Sequence, residues 1–366
     1  MLDLDQYWYY PVAEAPGGLL VGQTLLRTDD GIQGGAGVGY IAALSLRQGI
    51  TEYQRRVRGS YRPQLAALAF RTTGRVRALR DYFPLLRTLS LAERDDFFAL
   101  VAAIATSDGL DQRLYDEGSL GSLREAPLPG DAVYLVAGQL AEIFFYRRDL
   151  LARLLAGPRH IRLFTTMAAF MTGGGAAGGC YRPADESICL PLARLYEGFY
   201  GPDPGVAPFI HELGHLLDCF DPHSARLGAA SGLLPGMRPS DGDYYMPEAR
   251  DLFLRGKQIE QDRYEQCCAG DYRPENEPLG HPYVFQNDGE FIAGYLEMFF
   301  RNPHAFAECN PILFESLALL FEHDPRQWRS SDFTFYVDQN RTFYRSGQIP
   351  APHGLTFGTE DRTIGG

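Results

Sequence analysis

One segment, Phe209-Ile210-His211-Glu212-Leu213-Gly214-His215-Leu216-Leu217-Asp218, constrains the chain more than any other. Its two histidines stand four apart, with a glutamate directly after the first. On an α-helix, positions i and i+4 share one face, so His211 and His215 can aim their imidazoles at a single point. A tetrahedral zinc ion asks that of two of its ligands. Glu212 falls beside that face, close enough to touch a water on the metal without ligating it, and is a candidate general base. Phe209, Ile210, Leu213, Leu216 and Leu217 are apolar and would bury the helix around this face. A carboxylate and two imidazoles in such a setting are costly unless paired or ligated. The alternative, an amphipathic helix with two ordinary part-exposed histidines, leaves that cost unanswered. The turn-forming Gly201-Pro202-Asp203-Pro204-Gly205 upstream lets the helix begin near Val206 or Ala207.

Length and charge bound the rest. At 366 residues, 45% hydrophobic and 13% aromatic, the chain is that of a folded protein with room for two domains. A formal net charge of −12 argues against nucleic acid as a partner, since phosphate binding needs clustered positive charge. No run approaches the roughly 18 apolar residues of a membrane span. The start, Met1-Leu2-Asp3-Leu4-Asp5-Gln6, has neither a basic n-region nor an apolar h-region. The expectation is a soluble protein, cytoplasmic or exported without a recognisable signal. Six cysteines show no Cys-x-x-Cys spacing, which predicts buried free thiols rather than a zinc knuckle or a disulfide framework. Oligomeric state leaves no mark in the sequence.

Along the chain, residues 1–60 read as strands and turns, with Gly18–Leu26 a strand candidate and Asp29-Asp30-Gly31 a turn. The glycines at 34, 35, 37 and 39 lack both a Gly-Lys-Ser/Thr ending and the dinucleotide spacing, so they read as a flexible turn. From Arg62 to Ser107 the pattern is helical, and Ser90-Leu91-Ala92-Glu93 has the shape of a capping box. Residues 107–130 read as a loop and as the domain boundary. Asp131 should cap a long helix from about Ala132 to Leu155, followed by a strand at Ile161–Thr166. The Gly173–Gly179 run reads as a linker or as a sheet edge where backbone must approach something closely. Cys180–Arg182 and Ser187–Leu190 read as two short strands. Residues 221–280 read as a long insertion with little regular structure, Glu290–Phe300 and Pro311–Phe321 as helices, and 331–366 as an irregular tail.

A catalytic zinc takes three protein ligands and keeps one open position. Glu290 and Glu297, in a mainly apolar helix, can both in principle supply the third, whereas Glu248, Glu260 and Glu265 look solvated. The segment from His211 to Asp218, followed by Tyr283-x6-Glu290-Phe291-x-Ala293, resembles the catalytic core of the anthrax-lethal-factor-type zinc peptidases, a group that includes secreted Pro-Pro endopeptidases. The resemblance covers residues 131–325 and is specific at these positions. It implies zinc held by His211, His215 and Glu290, with Glu212 as base and Tyr283 stabilising an oxyanion. Asp218 matches a family aspartate three residues beyond the second histidine, suited to orienting a ligand imidazole. The interval from His215 to Glu290 is longer than the family's, which marks 221–280 as an insertion rimming the cleft. Seven residues separate Glu290 from Glu297, about 10.5 Å along a helix, so the two cannot ligate one ion. Glu297 is then expected in a supporting role, accepting a hydrogen bond or pairing with an arginine.

The expected fold is α+β, with a zincin-like domain over 131–330 (a small sheet over the active-site helix, then a helical lobe). A mixed strand and helix region over 1–130 precedes it, a candidate for substrate or partner recognition. The expected function is a zinc-dependent endopeptidase acting on a protein or peptide. Two alternatives share the site: a non-haem iron enzyme on the same two-His, one-carboxylate set, and a zincin scaffold kept as a binding module without catalysis.

Overall fold

The computed structural model describes residues 82–346, apart from 127, 129, 176–177, 200–206, 331 and 333, together with four strands nearer the N-terminus. Those strands, β1 (Trp8–Ala15), β2 (Gly18–Val21), β3 (Thr24–Arg27) and β4 (Gly39–Ala43), pair antiparallel in the order β3-β2-β1-β4. The stretch that reads as one strand, Gly18–Leu26, is therefore a hairpin, with Leu19 opposite Leu26. The Asp29-Asp30-Gly31 turn, the glycines at 34, 35 and 37, the helix expected from Arg62 and the tail beyond Ser346 lie outside the described residues.

The main body is α+β. Helix α1 (Leu91–Ala105) opens on the expected capping box: the Glu93 N–H donates to Ser90 Oγ, and the Ser90 N–H donates to the Glu93 carboxylate. Residues 107–130, far from being a loop, hold β5 (Leu110–Glu117) and β6 (Leu123–Ala126), two strands of the main sheet. Only Leu110 and Leu114 of β5 are buried, so apolar alternation is missing. Cross-strand ion pairs stand in its place, Arg113 with Glu125 at 2.8 Å and Arg124 with Asp116 at 2.7 Å.

The long helix expected over 132–155 is two helices, α2 (Gly130–Ile143) and α3 (Arg148–Leu154), and Asp131 lies inside the first rather than capping it. Buried Arg147 sits at the break. Its guanidinium grips Asp149 through two bonds of 3.1 Å and donates at 2.6 Å to the carbonyl of Leu320, an orphan acceptor at the end of a distant helix.

Strands β7 (Arg159–Phe164) and β9 (Ser187–Pro191) extend β5 in parallel; between them lie helix α4 (Met167–Thr172) and β8 (Cys180–Arg182). Strand β8 returns antiparallel to β9, giving the order β6-β5-β7-β9-β8 with β8 at one edge. All of β9 is buried, as a parallel strand covered on both faces must be. Helix α5 (Leu192–Glu197) leads to α6 (Pro208–Cys219), which carries the two histidines and packs under β8 and β9. A small hairpin, β10 (Phe220–Asp221) with β11 (Arg226–Leu227), follows.

Residues 221–280 hold the largest departure from expectation, helix α7 (Pro247–Cys268). Its buried stripe, Ala249, Phe253, Gly256, Lys257 and Glu260, has helical spacing, yet three of the five side chains are glycine, lysine and glutamate. A search for apolar periodicity passes over it. Helices α8 (Asp288–Arg301), α9 (Pro303–Cys309) and α10 (Pro311–Phe321) follow, and α11 (Thr334–Ser346) occupies part of the segment expected to be irregular. Helix α6 packs along α8, and α7 along α10. Among the described residues no helix is long and apolar enough to cross a membrane. All six cysteines are free, but only Cys189 and Cys219 are buried, fewer than expected.

Candidate metal centre

Helix α6 starts behind Ala207 with Pro208 in its first turn, where a missing N–H costs nothing. Its histidines face α8, whose N-cap is Asn287: the Asn287 side chain accepts from the Glu290 N–H at 2.9 Å and sets Glu290 in the first turn. The two helices meet closely. A Cβ added at Gly214 would fall 2.6 Å from the Cα of Ala293, so the helix carrying His-Glu-Leu-Gly-His needs its glycine at the crossing. Lys257, the only lysine of the chain, holds the start of α8 from the other side, 2.8 Å from Asp288.

The donor atoms converge. Glu290 Oε2 lies 3.1 Å from His211 Nε2 and 3.4 Å from His215 Nε2, and one ligand atom from each of the three residues falls within 4.8 Å of the others. Metal–ligand bonds of about 2.0–2.2 Å at tetrahedral angles put donors about 3.3 Å apart. A divalent cation would hold these groups as two neutral imidazoles and an anionic carboxylate, displacing any proton on the rings. The residues fit a zinc ion in separation and in donor chemistry. The set is equally that of other two-His, one-carboxylate metals.

The charges around this point are strongly coupled. Burial alone would lower the His211 imidazole, but Glu290 and Glu297, with the charge of Glu212, outweigh it and raise it to about 10. Glu290 is the counterpart. Burial works to raise it, and hydrogen bonds from His211, His215 and Tyr283 hold it well below the ordinary carboxylate range. Glu212 is buried beside the donor set rather than in it. Burial pushes its carboxyl up to about 7, against the pull of the two imidazoles. A group poised near neutrality is what proton transfer at neutral pH asks for. Two features of the sheet edge hold it: the Tyr181 backbone N–H, and Gly179, where an added Cβ would fall 3.0 Å from Glu212 Oε1. The glycine run thus ends in a close approach of backbone to Glu212.

Glu297, Asp218 and Tyr283 surround this donor set. Glu297, two turns along α8, brings Oε2 to 3.6 Å from His211 Nδ1 and accepts from the Ala207 N–H at 2.6 Å. It clasps the head of α6 and faces the ring nitrogen of His211 that Glu290 leaves free. Asp218 is buried and accepts from the N–H groups of Ser231 and Gly232, at 2.9 and 2.7 Å. Its second oxygen and His215 Nδ1 both lie within 3.5 Å of the Cβ position of Gly289. Tyr283 is 43% exposed, and its hydroxyl donates to Glu290 Oε1 at 2.8 Å.

Sequence reasoning missed what holds Tyr283 there. The backbone of Leu279 and Gly280, just before it, is pinned at all four polar groups. Leu279 N–H donates to Glu260 at 2.9 Å and its carbonyl accepts from Asn340 at 2.8 Å. Gly280 N–H donates to the Tyr295 hydroxyl at 3.1 Å, and its carbonyl accepts from the Tyr344 hydroxyl at 2.7 Å. Glu260, expected to be solvated, is 0% exposed and also accepts from Tyr295, Arg263 and Asn310. Glu248 and Glu265 are exposed, as expected. The only hint in the sequence was the helical spacing of Glu260 with Ala249 and Phe253. No protein-family model matches the chain, and no curated protein matches it, so the reading of this centre stands on its residues and their geometry.

Proposed function

We propose that the protein is a zinc-dependent hydrolase, most specifically an endopeptidase on a zincin-like scaffold, as its His-Glu-x-x-His and Glu-Phe-x-Ala segments imply. The observation that carries this reading is the convergence of His211 Nε2, His215 Nε2 and Glu290 Oε2 at tetrahedral spacing, with a buried carboxyl near neutrality beside them. Those three residues would hold the ion. When bound, zinc supplies a Lewis acid that lowers the pKa of a water to about 7 and polarises a carbonyl. Glu212 takes a proton from the attacking water and returns one to the leaving nitrogen. The hydroxyl of the partly exposed Tyr283 turns from Glu290 to donate to the developing oxyanion, a contact worth roughly 2.7–4 kcal/mol for comparable donors. A peptide is favoured over a small metabolite because β8, an edge strand among the described residues, lies against Glu212, where extended substrate backbone can add to the sheet. The catalytic unit then includes β5 and β6 and begins before residue 110.

Metal analysis of purified protein, beside a peptide-library cleavage profile of wild type and Glu212→Gln, tests the reading. Wild type should carry about one zinc per chain, lost to chelator, and Glu212→Gln should keep the metal and lose cleavage. Full activity in Glu212→Gln would remove the base assignment. Stoichiometric iron with oxygen-dependent turnover would replace the hydrolase by an oxygenase.

A further inference from the structure

Cys180 and Cys189 stand directly opposite each other in the β8–β9 ladder. Paired residues of an antiparallel ladder have Cα atoms about 4.5–5.5 Å apart, inside the roughly 4.4–6.8 Å that a disulfide spans. The two thiols are already in hydrogen-bond contact. They differ in access: Cys189 is 0% exposed, packed with Phe164, Ala169 and Phe170, whereas Cys180 is half-buried on the edge strand. Cys189 Sγ lies 3.3 Å from Ser187 Oγ, whose hydroxyl donates at 2.6 Å to Asp185. A half-buried thiol on an edge strand, a buried partner in reach and a polar exit for its proton are the parts of a two-cysteine redox site.

We propose that Cys180 and Cys189 form a reversible oxidation site that takes a hydroperoxide. The Cys180 sulfur attacks a peroxide oxygen; an S–O bond forms as the O–O bond breaks, and the departing oxygen takes the thiol proton. The Cys189 sulfur then attacks the Cys180 sulfur. The S–S bond forms, the S–O bond breaks, and hydroxide leaves as water with the Cys189 proton, which Ser187 and Asp185 are placed to relay. Two thiols lose two electrons and the peroxide gains them, hydrogen peroxide ending as two waters. The product staples β8, whose Gly179–Tyr181 backbone flanks Glu212, to the buried strand β9.

The test is thiol mapping of the folded full chain, independent of any hydrolase activity. Hydrogen peroxide followed by alkylation and digestion should remove two of the six free thiols, yield a linked Cys180–Cys189 peptide, and be reversed by dithiothreitol. Cys189→Ser should stop at a sulfenic acid on Cys180, captured by dimedone, and Cys180→Ser should give neither product. Oxidation that appears first at Cys267 or Cys268, or that carries Cys180 to sulfinic acid with no linked peptide in the wild type, overturns the proposal. If Cys189→Ser does not fold, the wild-type map alone decides.

Discussion

Both carboxylate oxygens of Glu290 are engaged, Oε2 by two imidazoles and Oε1 by the Tyr283 hydroxyl, whereas Glu297 meets the far nitrogen of His211 and the Ala207 N–H. The helical rise explains the division of labour: seven residues carry Glu297 past the donor point and onto the back of His211. Glu290→Ala should therefore abolish zinc retention through gel filtration, while Glu297→Ala should weaken zinc affinity by about 10–100-fold, as loss of an outer partner does. Equal zinc retention by Glu290→Ala and wild type would reverse the assignment. Gly214 makes a second prediction at this scale. A glycine inside a helix costs about 1 kcal/mol against alanine, so its place is explained by the contact with Ala293. Gly214→Ala should destabilise by about 1–3 kcal/mol despite its better helix propensity, because the added methyl must push α6 from α8. Chemical denaturation checks the sign, and a variant more stable than wild type would show that the helices part easily.

At the scale of elements, three helices hold the loop that presents Tyr283, and two of them, α7 and α11, contribute nothing to the donor set. Helix α7 supplies Glu260, α8 supplies Tyr295, and α11 supplies Asn340 and Tyr344. On the proposed function these are positioning residues. Tyr344→Phe removes one hydrogen bond and should cost about 1 kcal/mol of stability. Zinc content should stay unchanged while kcat falls more than KM changes. In a Tyr283→Phe background the same substitution should have little further effect on kcat, since the group being positioned is gone. Additive effects in that double-mutant cycle would mean that Tyr344 acts only through stability.

Across the whole molecule, one core runs from α1 through the sheet to α10, and it encloses groups that titrate. His323 lies among Tyr146, Phe299, Phe300 and Trp328, and neither ring nitrogen has a partner among the described residues. Burial lowers its imidazole from 6.5 to about 4. The unfolded chain then binds the proton more tightly than the folded one between those values, so stability falls as pH drops from 6.5 towards 4. The linkage amounts to about 3 kcal/mol when complete. His323→Phe should lose less stability than wild type between pH 7 and pH 4.5, measured by urea unfolding. Parallel pH curves for the two proteins would place the acid sensitivity elsewhere.

Local chemistry made much of this protein legible. The i, i+4 histidines, the Ser90 capping box, the short strands beside Pro183 and the boundaries of α8 and α10 depend on neighbours within a few residues, and the sequence by itself determined them. The pairing of Glu290 with the histidines was legible as two candidate glutamates narrowed by a resemblance and a helical rise. Other features came only with the tertiary structure. Strand β5 is held by partners on β6 and β7, and its own residues lack the alternation of a half-buried strand. Helix α7 buries glycine, lysine and glutamate because Leu313, Asp288 and the Leu279 backbone lie opposite them in space. The break at Arg147 answers a carbonyl 173 positions away. In each case a polar or small residue is satisfied by a group remote in the chain, and apolar periodicity carries no information about such partners.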